Sequence, residues 1–534
     1  MFGDFTNRKP LNQKKIINMK KILPLIFLLF FFGKNLTAQN AAPTISNLIA
    51  NTNTSNNTIT LTYDLDDLEN DDVEITMLVS IDDGVTFADP IMNVSGDVGF
   101  PITPGVGKLI TWNSMNLSLE YKIKLVADDL QVIDIQTIVD QVDSNRIWDD
   151  LTALEGVRHR IAGLAHLENT QMMIEQNFID HNLEVEIQEL PITGYVGKNI
   201  IGKHHGKNES PDVYILDGHY DSVSTSPGAD DNATAVAGVL EAVRVLSDYN
   251  FEHTIKFIGF DLEELNLNGS VAYANNSVST QEPIKGVINM EMIGYFDNTP
   301  YSQSFPTIFQ NAFPDAHVLL EADSFRGNFI INAGTTGLTS VQDSFYSAAQ
   351  NYVPELNVIN LIATNFVDLP NQALLRSDHA PFWFGGWPAI MLTDGAEFRN
   401  PNYHTANDVK ETLNLNFMTN VIKASIATIA KLANVRNCTS ATVDIISNIN
   451  ELNCEFEIYP NPVSDKLKLN VSDCGLANVE VEVYDSRGML ILGKSDQQSN
   501  GGFITINLHG LKMGIYFLMI KDGERFFSQK IIVE

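Results

Sequence analysis

Five short stretches of this chain carry groups that can bind a divalent cation and move protons. They are His219-Tyr-Asp221, Gly228-Ala-Asp230-Asp231-Asn232, Asp261-Leu-Glu263-Glu264, Glu291, and Tyr403-His404-Thr405. Imidazole nitrogen and carboxylate oxygen together suit Zn²⁺. If the fold drew all these carboxylates to one place, each would raise the pKa of the others and cost stability unless cations offset the charge. For the first two stretches the alternative is a solvated loop followed by a helix cap.

The elements around them say whether they can meet. Val213–Leu216, Thr254–Phe260, Val287–Met290 and Ala389–Thr393 are short apolar runs bounded by polar residues, the pattern of buried strands. Val236, Val239, Leu240, Val243 and Leu246 recur at helical spacing, which predicts an amphipathic helix after the first loop. Ile135 to Asn177 is mostly helical in pattern. Alternating strands and helices over 131–436 predict an α/β unit with a largely parallel sheet. In such a sheet ligands bind beyond the carboxyl ends of the strands. Each of the polar stretches follows one of these predicted strands, so their groups would converge on one edge.

The chain has 534 residues, enough for two to four domains, and 44% hydrophobic content, enough for a large core. Asp and Glu outnumber Lys and Arg by 66 to 34, a net charge of −32. That disfavours nucleic acid as a partner, since phosphates need basic patches. The three cysteines, Cys438, Cys454 and Cys474, fit neither a disulfide framework nor a zinc ribbon. In an exported protein a Cys438–Cys454 bridge is open, and the sequence does not fix the pairing.

Residues 1–38 have the layout of a signal peptide: Met19-Lys20-Lys21, an apolar run from Ile22 to Phe32, and Leu36-Thr-Ala38 before Gln39. Met19 is an alternative start. The run is too short to span a bilayer, and no later stretch has the length and apolarity of a membrane helix. The mature protein is expected outside the cytoplasm, secreted or at the cell surface, with no membrane span.

Residues 43–130 read as a β module, with strands at Thr58–Tyr63, Val73–Val79, Ile110–Trp112 and Tyr121–Val126, and Trp112 buried. The stretch resembles the fibronectin type III-like modules of secreted bacterial hydrolases, which implies a β-sandwich. The acidic run Asp64 to Asp72 lacks the ordered ligand spacing of a calcium loop and reads as a solvated turn. Residues 437–454, rich in Ser, Thr and Asn, read as a linker. Strands are expected at Val479–Tyr484, Ile504–Leu508, Ile515–Ile520 and Phe526–Val533. With Tyr459-Pro-Asn-Pro462, Asp485-Ser-Arg-Gly488 and Gly514-Ile-Tyr516 near the chain end, residues 455–534 resemble the C-terminal sorting domain of type IX secretion. That resemblance implies a second β-sandwich and the type IX machinery as a partner. A plain β-sandwich binding module is the alternative.

The order His219-x-Asp221, Gly228-Ala-Asp230-Asp231, Glu263-Glu264, Glu291, Tyr403-His404-Thr405 resembles the co-catalytic zinc aminopeptidase family. That family includes bacterial leucyl aminopeptidases, and its relatives include glutamate carboxypeptidase and glutaminyl cyclase. The match covers roughly Leu151 to Val435. It implies two Zn²⁺ ions: His219 and Glu291 on one, Glu264 and His404 on the other, Asp231 bridging, with the peptide after the bridge in cis. Two metals about 3.5–4 Å apart would clamp a hydroxide and polarise the scissile carbonyl. Asp221 would orient His219, Glu263 would be the general base, and Tyr403 would donate to the oxyanion. Many family members carry Asp where Glu291 stands, so its longer arm is the one departure among the ligands.

Other candidates have structural readings. Asp408, three residues before Glu411, fits a capping box. Asp230 competes with Asp231 for the bridge, and the motif favours Asp231. Arg376-Ser-Asp378-His379 matches a family segment that lines the substrate cleft, with the Arg376 carbonyl facing a free amine. Phe382, Trp383 and Trp387 fit core packing, and His159, His204, His205 and His253 fit surface or packing roles. The leading expectation is a secreted dinuclear zinc exopeptidase that removes N-terminal residues from peptide or protein substrates. The alternatives are a carboxypeptidase or glutaminyl cyclase on the same fold, and a surface binding protein without catalysis.

Overall fold

The computed structural model describes residues 40–53, 58–80, 87, 94–113, 121–131, 133–206, 210–366, 369–445, 457–470, 478–485, 490–498, 503–522 and 525–533. The expected signal segment 1–38, Cys454 and Cys474 lie outside these residues, and Cys438 is buried.

An eight-stranded sheet forms the centre. Its strands are β1 (Glu184–Ile192), β2 (Tyr195–His204), β3 (Ser210–His219), β4 (His253–Phe260), β5 (Ile284–Met290), β6 (Ile330–Thr335), β7 (Val358–Ala363) and β8 (Ala389–Thr393), in the spatial order β7-β6-β8-β5-β3-β4-β2-β1. The four strands expected from the sequence, β3, β4, β5 and β8, lie side by side, and every pair among them is parallel. Their register levels the carboxyl ends: His219 stands opposite Phe260, Asp217 opposite Asn289, and Met290 opposite Leu392. The polar residues that follow each strand therefore emerge at one edge.

The sheet as a whole is mixed, not largely parallel. β1/β2, β2/β4 and β6/β8 are antiparallel. The β1–β2 turn shows why: Ile192 pairs with Tyr195 across Thr193-Gly194, and Gly194 has φ of +80°. A two-residue hairpin with glycine in the left-handed region reverses the chain at once, so the two strands must be antiparallel. β1 is an alternating, half-exposed strand at the rim, and it carries no wholly apolar run.

The helix Thr234–Leu246 packs against this sheet, and all of its residues except Arg244 are buried. It is apolar all round rather than amphipathic, as suits a helix between the sheet and a second layer that includes Ser144–Leu154 and Leu415–Leu432. Its one buried acid, Glu241, forms a bidentate pair with Arg244 at 2.7 Å and accepts the Asp143 N–H at 2.7 Å. The opposite face of the sheet carries a second apolar core that includes Phe260, Phe309, Phe382 and Trp383.

The strands that precede the central unit, joined by one that follows it, form two four-stranded sheets. One holds Thr44–Asn53, Thr58–Asp66, Gly105–Asn113 and Val94–Gly96; the other holds Cys438–Ile445, Tyr121–Asp128, Val73–Ser80 and Gly99–Ile102. Alternating residues Ile59, Leu61, Tyr63, Ile123 and Leu125 share one core, and buried Trp112 meets Tyr121 edge-on at 5.1 Å. Of the stretch 437–454 expected to be a linker, Cys438–Ile445 is instead a strand paired antiparallel with all of Tyr121–Asp128, and residues 446–454 lie outside the described residues. Thr439, Thr442 and Val443 are β-branched residues that suit a sheet edge, and a Ser/Thr-rich edge strand has the composition of a linker.

At the chain end, Glu457–Tyr459, Lys466–Asn470 and Phe503–Asn507 form one sheet. Leu490–Gln498, Asn478–Asp485, Gly514–Asp522 and Arg525–Val533 form another, around a core of residues such as Leu467, Val481, Ile504 and Leu518. Among the described residues no helix is long and apolar enough to cross a membrane.

Candidate metal centre

β3 ends at His219, and the loop that follows wraps the end of the sheet before the helix at Thr234. Gly228 sits in that loop with φ of +61°, and a Cβ there would lie 2.3 Å from the Asp231 carbonyl oxygen, so only glycine fits. The Asp231–Asn232 peptide is cis. Asn232 fastens this turn to the end of β5: its Nδ2 donates to the Met290 carbonyl at 3.0 Å and its Oδ1 accepts the Met292 N–H at 3.0 Å. Those two bonds flank Glu291.

Five side chains meet there. His219 Nε2 lies 3.4 Å from Asp231 Oδ1 and 3.4 Å from Glu291 Oε2. His404 Nε2 lies 3.0 Å from Asp231 Oδ2 and 3.4 Å from Glu264 Oε2. The result is two triads with a ligand atom from each residue, His219–Asp231–Glu291 and Asp231–Glu264–His404, that share Asp231. Ligands about 2.0–2.1 Å from one tetrahedral ion stand about 3.3–3.4 Å from each other, which is close to the spacing found. His219 Nε2, Asp231 Oδ2 and Glu264 Oε1 are buried with no hydrogen-bond partner. Buried polar atoms of this kind are normally satisfied, and cations would satisfy these. The residues present therefore fit a pair of zinc ions.

Glu263 lies beside the first triad, with Oε2 3.9 Å from His219 Nε2. Burial pushes its carboxyl well above the usual range, with Glu291 and Asp378 adding to the shift and His219 opposing it. Asp221 serves two groups. Its carboxylate accepts the N–H of Glu263 at 3.1 Å and of Glu264 at 3.2 Å. Toward His219 Nδ1 its backbone carbonyl is the closer oxygen, at 3.2 Å against 3.4 Å for the carboxylate.

Asp230 points away from the cluster. It accepts from Gly294 N at 2.9 Å and from Asn400 Nδ2 at 2.7 Å, and burial followed by Asp394 raises its pKa. Asp408 does not cap a helix as its spacing suggested. The following long helix is capped by Asn414, whose side chain accepts from Phe417 N, and the buried Asp408 carboxylate accepts the N–H groups of Asp230 and Asp231. Asp378 and His379 are both fully buried. Burial lowers the His379 pKa to about 3, its Nε2 meets the Leu374 carbonyl at 2.7 Å, and Trp383 packs edge-on against it.

Sequence reasoning missed Arg158, Asn232 and Ser377. Arg158 is completely buried and donates to the carbonyls of Tyr220, Leu154, Gly156, Pro227 and Gly228, holding the loop that leads to Asp231. Ser377 Oγ lies 2.7 Å from Glu291 Oε2 and 2.9 Å from Asn289 Oδ1. Asn232 and Ser377 lie inside stretches singled out above, where their neighbours carried the signal; a buried arginine in a loop announces itself only once its five acceptors are seen.

A cleft of about 650 Å³ opens beside Glu291. Phe305, Phe309, Ile331, Leu361 and Met391 line it together with Tyr403 and the exposed Arg376 and Glu397. Arg376 pairs with Glu397 and donates to Tyr403 Oη at 3.0 Å. Tyr403 in turn stacks on His404, with ring centroids 3.8 Å apart.

Residues 199–429 match the model of peptidase family M28, and residues 457–534 match that of the secretion system C-terminal sorting domain. The uncharacterized protein YfbL of Escherichia coli (strain K12) is 31% identical over 269 residues, which cover 48% of this chain and 78% of that protein. Aminopeptidase YwaD of Bacillus subtilis (strain 168) is 37% identical over 114 residues, 21% of this chain and a quarter (25%) of that protein. The crystal structure of Legionella pneumophila LapA aminopeptidase is 21% identical with a TM-score of 0.44, covering 56% of this chain and 72% of that one.

Proposed function

This chain belongs to peptidase family M28 and carries a C-terminal sorting domain for export, and from that starting point we propose that it is an exported dinuclear zinc aminopeptidase. The observation that carries the reading is the division of one carboxylate between two imidazoles: Asp231 Oδ1 faces His219 and Asp231 Oδ2 faces His404. We assign His219 and Glu291 to one ion, Glu264 and His404 to the other, and Asp231 to both. Two ions held so would supply a hydroxide at neutral pH and polarise the scissile carbonyl.

The protein groups do the rest. Glu263 takes the proton of the attacking water and passes it to the leaving amine. Asp221 holds Glu263 and Glu264 by their backbone N–H groups, so base and ligand move as one unit. Tyr403 Oη accepts from Arg376, which leaves its own proton for the developing oxyanion. Burial, followed by Asp231, raises the phenol's pKa, so that proton is present at neutral pH.

The cleft beside Glu291 suits a substrate's first residue. Its apolar wall takes an aliphatic or aromatic side chain, and Glu291 in its lining attracts an ammonium. The cleft's one arginine, Arg376, is already paired with Glu397, which speaks against a carboxypeptidase that must grip a free carboxylate there. The N-terminal double sheet is read as a fibronectin type III-like module, and type IX secretion as the route of export. Purified protein should release single N-terminal residues from free-amine peptides and lose most of that activity on N-acetylated ones. Equal cleavage of both would overturn the aminopeptidase reading and leave a dinuclear hydrolase.

A further inference from the structure

The cluster of candidate ligands has a second cleft, of about 330 Å³, against Glu264 and Asp221 rather than Glu291. His159, Arg160, Asp261 and Leu262 also line it. Three acids line it: Glu264, assigned above to an ion, and Asp221 and Asp261, which are held by hydrogen bonds. Asp221 accepts the N–H groups of Glu263 and Glu264. Asp261 accepts from Tyr195 Oη at 2.7 Å, Lys198 N at 3.1 Å and Leu262 N at 2.8 Å.

Its two bases are not engaged in this way. His159 Nδ1 accepts the N–H groups of Ile161 at 3.2 Å and Ala162 at 3.1 Å, which places the proton of the neutral ring on Nε2 as an outward donor. Arg160 is half-buried and has no hydrogen bond or ion pair among the described residues. The backbone that presents them is fixed. Arg158 and Ser222 exchange two hydrogen bonds at 2.9 Å, and the His159 carbonyl accepts Gly163 N at 2.9 Å.

The two clefts thus differ in polarity across the metal cluster. The first is largely apolar with Glu291 in its lining and its arginine paired to Glu397; the second adds a free guanidinium and an imidazole N–H to carboxylates that already have roles. Under the reading above, a peptide whose amine sits beside Glu291 would extend its leaving residue toward the cleft lined by Glu264. The geometry points to His159 and Arg160 as a subsite for a carboxylate on the leaving side of the scissile bond. This inference rests on the aminopeptidase reading above. Two sources present that group: the free C-terminus of a dipeptide, or an acidic side chain in the second position.

Four substrates separate them: Leu-Gly, Leu-Gly-amide, Leu-Asp-amide and Leu-Asn-amide, each measured as kcat/KM on the zinc-loaded full chain. A charge-assisted contact of this kind should favour the carboxylate member of at least one pair by about 10-fold. The Leu-Gly pair reports the C-terminus and the Leu-Asp pair the side chain. Arg160→Gln should bring the favoured ratio to about one, and Arg160→Lys should keep part of it, because the charge remains. Ratios near one in the wild type, or a ratio unmoved by Arg160→Gln in protein whose circular dichroism matches wild type, would overturn the subsite while leaving the aminopeptidase reading intact. Absence of hydrolysis of all four by the wild type would bring down both.

Discussion

Asp408 Oδ2 accepts the backbone N–H of Asp231 at 3.2 Å, while its Oδ1 accepts that of Asp230 at 2.9 Å. A buried carboxylate from a loop 177 residues further on thereby fixes the turn that presents the shared ligand. Asn at this position keeps one acceptor and turns an NH₂ toward an N–H. Asp408→Asn should lower zinc affinity by about 10–100-fold, the usual effect of losing an outer partner of a metal ligand. Metal titration of the chelated protein reads this directly, and an unchanged affinity would remove Asp408 from the assignment.

The centre should hold two zinc ions per chain. Chelation should abolish turnover and added zinc restore it, and metal analysis should find about two equivalents in active protein. Glu264→Gln should reduce that content, because the amide replaces a ligand of the second triad. Active protein without a bound transition metal would sink the proposal.

Glu263→Gln keeps size and removes the base. Turnover should fall by about 10²–10⁴, with zinc content retained. Activity close to wild type would show that Glu263 is not the proton carrier.

The parallel heart of the fold was legible because β3, β4, β5 and β8 are apolar runs buried on both faces, and each hands its chain to a polar loop. That single regularity also brought His219, Glu264, Glu291 and His404 together. What stayed hidden has a different physical basis. β1 and Cys438–Ile445 are edge strands whose half-exposed residues carry no apolar run. The helix Thr234–Leu246 looked amphipathic because its apolar residues satisfied helical spacing, and the small residues Ala235, Ala237 and Ala242 that complete its buried surface carry little signal. Asp408 matched a capping box by spacing alone, and only the tertiary fold shows that its acceptors face Asp230 and Asp231.

Arg158 should matter for stability before chemistry. Its guanidinium satisfies five carbonyls, and burial lowers its pKa only to about 10, so it stays charged across the physiological range. Arg158→Met removes the donors and leaves those oxygens without them. The cost should be about 3–5 kcal/mol, as for breaking a buried charged network. Thermal unfolding should show a clearly lower midpoint, and a midpoint within a degree of wild type would contradict the role.

The cleft beside Glu291 makes a prediction about side-chain size. Leu361 lies on β7, is 3% exposed, and forms part of the apolar wall together with Phe309, Ile331 and Met391. Leu361→Phe adds a ring to that wall without touching the proposed ligands. If the first residue of the substrate lies there, the change should penalise large N-terminal residues more than small ones. One methylene in such a pocket is worth about 1–3 kcal/mol, or roughly 10–200-fold, and the added ring displaces more than one. kcat/KM for an N-terminal leucine should therefore fall by at least about 10-fold relative to an N-terminal alanine, with zinc content unchanged. A uniform loss on both substrates would mean that the substitution disturbs the fold rather than the pocket. An unchanged ratio would place the first side chain elsewhere.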